Sequence, residues 1–102
     1  MSNKIYTIDE LKKQIGKILS DFPVEKAILF GSYAKNEADE NSDIDLVINM
    51  GGEIDGFKFL EILGSLCDNL KKNIDLIEIN DVIKSSKIDK ELSKTGVVIY
   101  GK

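Results

Sequence analysis

An α/β or α+β sandwich, a sheet of about four strands with helices packed against it, is predicted by three features of the sequence. Helix-periodic and strand-like segments follow one another in the order αβ(α)βαβαβ. The run Ala27-Ile28-Leu29-Phe30 is continuously apolar, too short for a helix of its own and suited to an interior strand covered on both faces. With 102 residues, 42% of them hydrophobic and 31% charged, the chain has the size and balance of one globular domain spanning residues 1–102, without room for a second.

The elements can be justified in order. Thr7-Ile8-Asp9-Glu10 reads as a capping box, so a helix begins there. Ile8, Leu11, Ile15, Ile18 and Leu19 form its apolar stripe, Gly16 weakens it modestly, and it stops before Pro23. Val24 to Phe30 is the first strand, ended by Gly31. Residues 36–42 are polar and read as a loop, and Asp43 to Asn49 alternates as a strand does, so the loop joins neighbouring strands. Gly51, Gly52 and Gly56 mark a flexible connection to a second long helix, with Phe59, Leu63, Leu66, Cys67 and Leu70 on one face. Ile74 to Ile79 is the third strand. Asp81 is expected to cap a short helical turn, Ile88 to Lys94 to form another ended by Gly96, and Val97 to Tyr100 to close the sheet.

A net charge of −4 and a pI near 4.8 remove the basic field that stable nucleic-acid binding normally requires. Cys67 is the single cysteine, so no intramolecular disulfide can form, and a lone thiol in a helix stripe suits core packing in a reducing compartment. The polar start and the lack of any span-length apolar run predict a cytoplasmic protein.

The chemistry concentrates in two short motifs. Side chains alternate across a strand, so Asp43 and Asp45 project to one face while Ile44, Leu46 and Ile48 face the other way. Two carboxylates at that spacing repel, and a hard divalent cation, magnesium or manganese, relieves the repulsion. If the third strand pairs beside the second, Asp75 joins them and two metal ions become possible. Alone, Asp-x-Asp is more often a solvated strand start or an Asx turn. Upstream, Gly31 and Ser32 follow the buried strand at the start of a short helix. Gly31 lets an anion approach the backbone, and Ser32 offers a hydroxyl donor. The Gly-x-x-x-x-Gly-Lys spacing of a Walker A loop is absent, and a lone Gly-Ser is usually only a turn. Elsewhere the simpler readings prevail: Tyr33 exposed, Lys35 balanced between solvent and a phosphate contact, Glu78 solvated on the side opposite Asp75, and Glu37, Asp39 and Glu40 a solvated loop.

Together, Phe30-Gly31-Ser32-Tyr33-Ala34-Lys35, a loop, and Ser42-Asp43-Ile44-Asp45-Leu46 closely resemble the signature of the polymerase-beta nucleotidyltransferase superfamily, in particular its minimal, MNT-type members. The resemblance covers nearly the whole chain, because the leading helix, the Asp75 strand and Thr95-Gly96-Val97-Val98-Ile99-Tyr100 also fall where that family has them. It implies a mixed sheet with helices packed on one face, and transfer of a nucleoside monophosphate from a triphosphate to a hydroxyl. Carried onto this chain, it makes Gly31, Ser32 and Lys35 nucleotide-binding. Asp43, Asp45 and Asp75 become catalytic and metal-binding, with two Mg2+ ions and Mn2+ as an alternative. Many members have Arg-Gly where this chain has Lys35-Asn36, and lysine lacks the planar fork of arginine.

Minimal members of this kind often serve as antitoxins that modify a HEPN-domain toxin. The resemblance therefore implies ATP or another nucleoside triphosphate as donor and a HEPN-domain protein as partner and acceptor. Two alternatives come from other classes: a binding antitoxin that neutralises its partner by contact, and transfer to a small molecule. RNA tailing is disfavoured by the acidic charge. Self-association is compatible with so small a domain.

Overall fold

The computed structural model describes residues 4–52 and 55–101. The first helix, α1 (Ile8–Leu19), opens on the expected capping box: the Thr7 hydroxyl accepts from the Glu10 amide at 3.0 Å, and the Glu10 carboxylate accepts from the Thr7 amide at 2.9 Å. Lys4 adds an ion pair to Glu10 at 2.7 Å. Leu11, Ile15 and Leu19 are buried, one per turn, on the face that the stripe predicts.

Four strands form one mixed sheet in the order β3-β2-β1-β4. β1 (Lys26–Phe30) lies inside it, antiparallel to both β2 (Ile44–Asn49) and β4 (Val97–Gly101). A register shift between Ala27 and Ile28 accommodates β4. β2 and β3 (Ile74–Glu78) run parallel, and the long helix α3 (Gly56–Leu70) supplies the crossover that a parallel pair requires. A one-turn helix, α2 (Gly31–Ala34), follows β1 directly.

Ala27, Leu29, Ile44, Leu46, Ile48 and Ile99 point from the sheet into a core shared with Leu11, Ile15 and Leu19 of α1 and Ile62, Leu66 and Leu70 of α3. Side chains at alternate positions point to the opposite face. There α4 (Lys87–Thr95) meets β1, with Gly96 at its C-terminus close to Ile28. Tyr6 locks the segment before α1 to the end of α3, donating its hydroxyl hydrogen to the Leu70 carbonyl at 2.7 Å.

Several expectations need correction. Tyr33 is buried at 2% exposure in the core, sharing with Gly31 the buried positions of α2. Its hydroxyl finds no well-formed hydrogen bond, and burial raises its pKa. Ile62, rather than Leu63 and Cys67, joins Leu66 and Leu70 on the fully buried face of α3, while Leu63 and Cys67 are half-buried flanks. Glu78 does lie opposite Asp75, yet it is buried at 5% exposure instead of solvated. Its carboxylate accepts from the Asn80 amide at 2.6 Å and from the Asn80 side chain at 3.2 Å. Glu78 thus caps the 3-10 turn Ile79–Asp81, the role expected of Asp81, which instead ends that turn.

Candidate active site

The register of the sheet assembles the candidate site. Phe30 at the end of β1 pairs with Asp45 on β2, and Asp45 pairs in turn with Asp75 on β3. Side chains of paired residues share a face, so Asp45 and Asp75 stand side by side on the surface opposite the α1/α3 core. Asp43 precedes β2 and shares their side by alternation. Asp43 and Asp75 are exposed, and Asp45 is half-buried between them.

The loop leading to Asp43 is held by its own side chains. Asp39 accepts from the Asn41 amide at 2.9 Å, and the Ser42 hydroxyl accepts from the Asp39 amide at 2.9 Å. Lys72, buried at 4% exposure, donates its ammonium hydrogen to the Glu40 carbonyl at 2.8 Å. The Ile44 amide donates to the Asn73 carbonyl at 3.0 Å. Asp39 and Glu40 are therefore solvent-exposed, as expected, but they also fix where β2 begins. Nothing in the local sequence announces Lys72, because its partner lies 32 residues away.

Gly31 has a left-handed backbone, φ +73°, and the Asp45 carboxylate occupies the space that a Cβ would take. That gives Gly31 two reasons to be glycine, both independent of any phosphate. It also brings Ser32, half-buried, beside the acidic row. Lys35 ends α2, its amide donating to the Gly31 carbonyl at 3.2 Å, and its ammonium meets Glu91 of α4 at 3.5 Å. Asn36 is left-handed too, φ +57°. Asparagine tolerates this conformation better than most residues, so the Lys35-Asn36 pair fits a backbone that Arg-Gly also satisfies.

The electrostatics follow from the row. Burial, then the charges of Asp75, Asp43 and Glu91, push the Asp45 pKa up to about 6. Glu91 is a member of this neighbourhood that sequence reasoning missed; only tertiary packing brings α4 across to β1 and α2. Among the described residues no three acidic side chains converge as ready metal ligands. The donor set nevertheless fits a hard divalent cation: three carboxylates share one face, and the pKa of the half-buried one is raised by burial and by its neighbours' uncompensated charge.

A model of the family described as polymerase beta, nucleotidyltransferase matches residues 13–102. Two Methanocaldococcus jannaschii proteins, each provisionally assigned as a protein adenylyltransferase, are similar to the chain. One is 37% identical over 92 residues, covering 86% of this chain and 93% of its own length. The other is 35% identical over 75 residues, covering 74% and 81%. Among solved structures, a chain of a toxin–antitoxin complex with AMP-PNP superimposes with a TM-score of 0.74 at 25% identity, over 89% of this chain and 73% of that chain. A chain from a complex of tri-AMPylated Shewanella oneidensis HEPN toxin with MNT antitoxin has the same fold, with a TM-score of 0.69 at 21% identity over 94% and 74%. No described helix is long and apolar enough to cross a membrane. Matched over a stretch that includes the whole carboxylate row and the Gly31-Ser32 turn, the chain belongs to the polymerase beta nucleotidyltransferase family.

Proposed function

We propose that this chain transfers AMP from ATP to a hydroxyl of a partner protein, and that it works in the cytoplasm as the antitoxin of a pair whose toxin is a HEPN-domain protein. The observation that carries the reading is the alignment of Asp45 with Asp75 across β2 and β3, at the point where the Asp45 carboxylate packs against Gly31, the residue before Ser32. The provisional protein adenylyltransferases among its relatives and the toxin–antitoxin complexes among its structural neighbours support the choice of donor and acceptor.

In this reading Gly31 and Ser32 hold the triphosphate through backbone and hydroxyl, with Lys35 contributing charge. Asp43, Asp45 and Asp75 hold divalent metal, with Mg2+ the expected ion. Bound there, it supplies neutralisation of phosphate charge and acidifies the acceptor hydroxyl. Asp75, the outermost of the row, orients that hydroxyl and accepts its proton as the oxygen bonds to the α-phosphorus and the bond to the β-phosphate breaks, releasing pyrophosphate. A cation bound there would favour the ionised state of Asp45, against the burial and neighbouring charges that raise its pKa. A side-chain histidine base is not available, since the sequence has none.

Radiolabelled ATP, Mg2+ and the protein encoded beside this one in its genome provide the test. Label is expected on the neighbour protein, and Asp43→Asn is expected to abolish it while the circular dichroism spectrum is kept. Full-rate labelling by Asp43→Asn would remove Asp43 from the machinery.

A further inference from the structure

Lysines gather at one groove beside the carboxylate row, and the proposed function leaves most of them unused. Lys87, Lys90 and Lys94 recur at three- and four-residue spacing on α4 and so share one face of the helix. With Lys35, Glu91 and Thr95 they line an open groove of about 410 Å3. All four lysines are exposed. Lys35 is paired to Glu91, whereas Lys87, Lys90 and Lys94 have no carboxylate partner among the described residues. The charge is local: residues 82–102 hold five lysines and two carboxylates in a chain of net charge −4. The sequence has no arginine, so any anion here is held by ammonium groups.

The groove is linked to the site by two of its lining residues, Lys35 and Glu91. Lys35 closes the turn that begins at Gly31, which makes this the Gly31-Ser32 end of the carboxylate row. Glu91 faces both: its carboxylate reaches Lys35 at 3.5 Å, and its charge acts on Asp45. A compact polyanion is the natural complement of clustered ammonium groups. An extended one, such as RNA, would also meet the acidic remainder of the surface.

We propose that this groove receives the triphosphate tail of the nucleotide donor: Lys87, Lys90 and Lys94 join Lys35 against the tail, and Glu91 is an internal competitor that releases Lys35 when the tail enters. The proposal rests on the nucleotidyltransferase reading above and adds to it a second wall, supplied by α4. Before nucleotide arrives, Glu91 partly satisfies Lys35 and keeps the groove from carrying only positive charge. On entry, the more highly charged phosphates displace it.

Calorimetric titration with inorganic tripolyphosphate, and separately with ATP, in EDTA at fixed low ionic strength tests this without a loaded metal site. Replacing Lys87, Lys90 and Lys94 together by alanine is expected to weaken both ligands by about tenfold or more. Replacing Lys12, Lys13 and Lys58, exposed lysines on other helices, removes the same charge and is expected to change affinity much less. Glu91→Gln is expected to tighten both ligands several-fold, a direction that damaged folding would not produce. The proposal is overturned if the groove triple binds tripolyphosphate like the remote triple, or if Glu91→Gln weakens binding. A wild-type chain that transfers AMP while its groove triple binds normally overturns the groove alone. Lysine-dependent tripolyphosphate binding without nucleotide transfer overturns the transferase reading and leaves the groove standing.

Discussion

At position 31 the backbone is left-handed and a neighbouring carboxylate fills the place of a side chain, so glycine there answers to Asp45 as well as to its own φ of +73°. Gly31→Ala is therefore expected to cost at least about 1 to 2 kcal/mol in stability and to push Asp45 out of the row. Urea unfolding measures the first effect and nucleotide transfer the second. Asp45 itself is a group whose ionisation the fold opposes in the absence of metal. Its pKa is near 3.9 when unfolded and about 6 when folded, so the folded state holds the proton more tightly. The stability this group contributes is complete below about pH 4, falls as the pH rises through 6, and stays low above it. Asp45→Asn, which removes the charge at all pH values, is expected to stabilise the metal-free chain at pH 7. With solvent screening discounted, the gain is on the order of 1 kcal/mol, or about 4 to 8 °C in Tm. The same substitution is expected to abolish transfer. Scanning calorimetry from pH 4 to 8 in EDTA checks the stability claim; an unchanged or lower Tm at pH 7 contradicts it. Glycine at 31 and the paired aspartates were legible as residues; their mutual contact was not, because it depends on β1 and β2 meeting in register.

Among the elements, α1 was readable because its cap, its stripe and the following proline all mark the same boundaries. α3 was less so. Phe57, Leu60 and Leu63 are apolar as well as Phe59, Ile62, Leu66 and Leu70, so periodicity alone does not select the inward face. Phe57 and Leu60 in fact point to solvent, at 82% and 63% exposure. Glu78 shows the complementary limit: strand alternation placed it on the correct side, but its capping bond to Asn80 belongs to the turn that follows. The loop before β2 gives a prediction of its own. Lys72→Met removes the donor to the Glu40 carbonyl and is expected to cost about 0.5 to 1.5 kcal/mol, because water can replace the lost bond at an exposed carbonyl. Amide exchange at Asn41 and Ser42 should accelerate relative to α1 if Lys72 fixes this loop; equal protection in both proteins would show that Asp39 and Ser42 suffice.

The whole molecule is a mixed sheet in which the strands carrying Asp45 and Asp75 are parallel and adjacent, a pairing the sequence could state only as a condition. Strand order depends on contacts between segments distant in sequence, Asp45 with Asp75 and Leu29 with Val97 among them, whereas alternation and turn residues report only on their neighbours. Placement of α4 opposite the α1/α3 core likewise follows from packing, and it introduces Glu91 and the lysine groove to a site that the two motifs outlined without them. If that site holds metal and triphosphate together, Mg-ATP stabilises the folded chain by mass action, by about 2.7 kcal/mol at a hundredfold excess over Kd. The Mg-dependent part of the thermal shift should vanish in Asp43→Asn. The most direct test of the central claim is intact-mass analysis of the proposed partner, the protein encoded beside this one, after incubation with this chain, Mg2+ and each nucleoside triphosphate in turn. One or more added adenylyl groups with ATP, absent when Asp43 and Asp45 are both replaced by asparagine, is the predicted result. A partner that binds this chain yet keeps its unmodified mass with every nucleotide, under Mg2+ and under Mn2+, would contradict it.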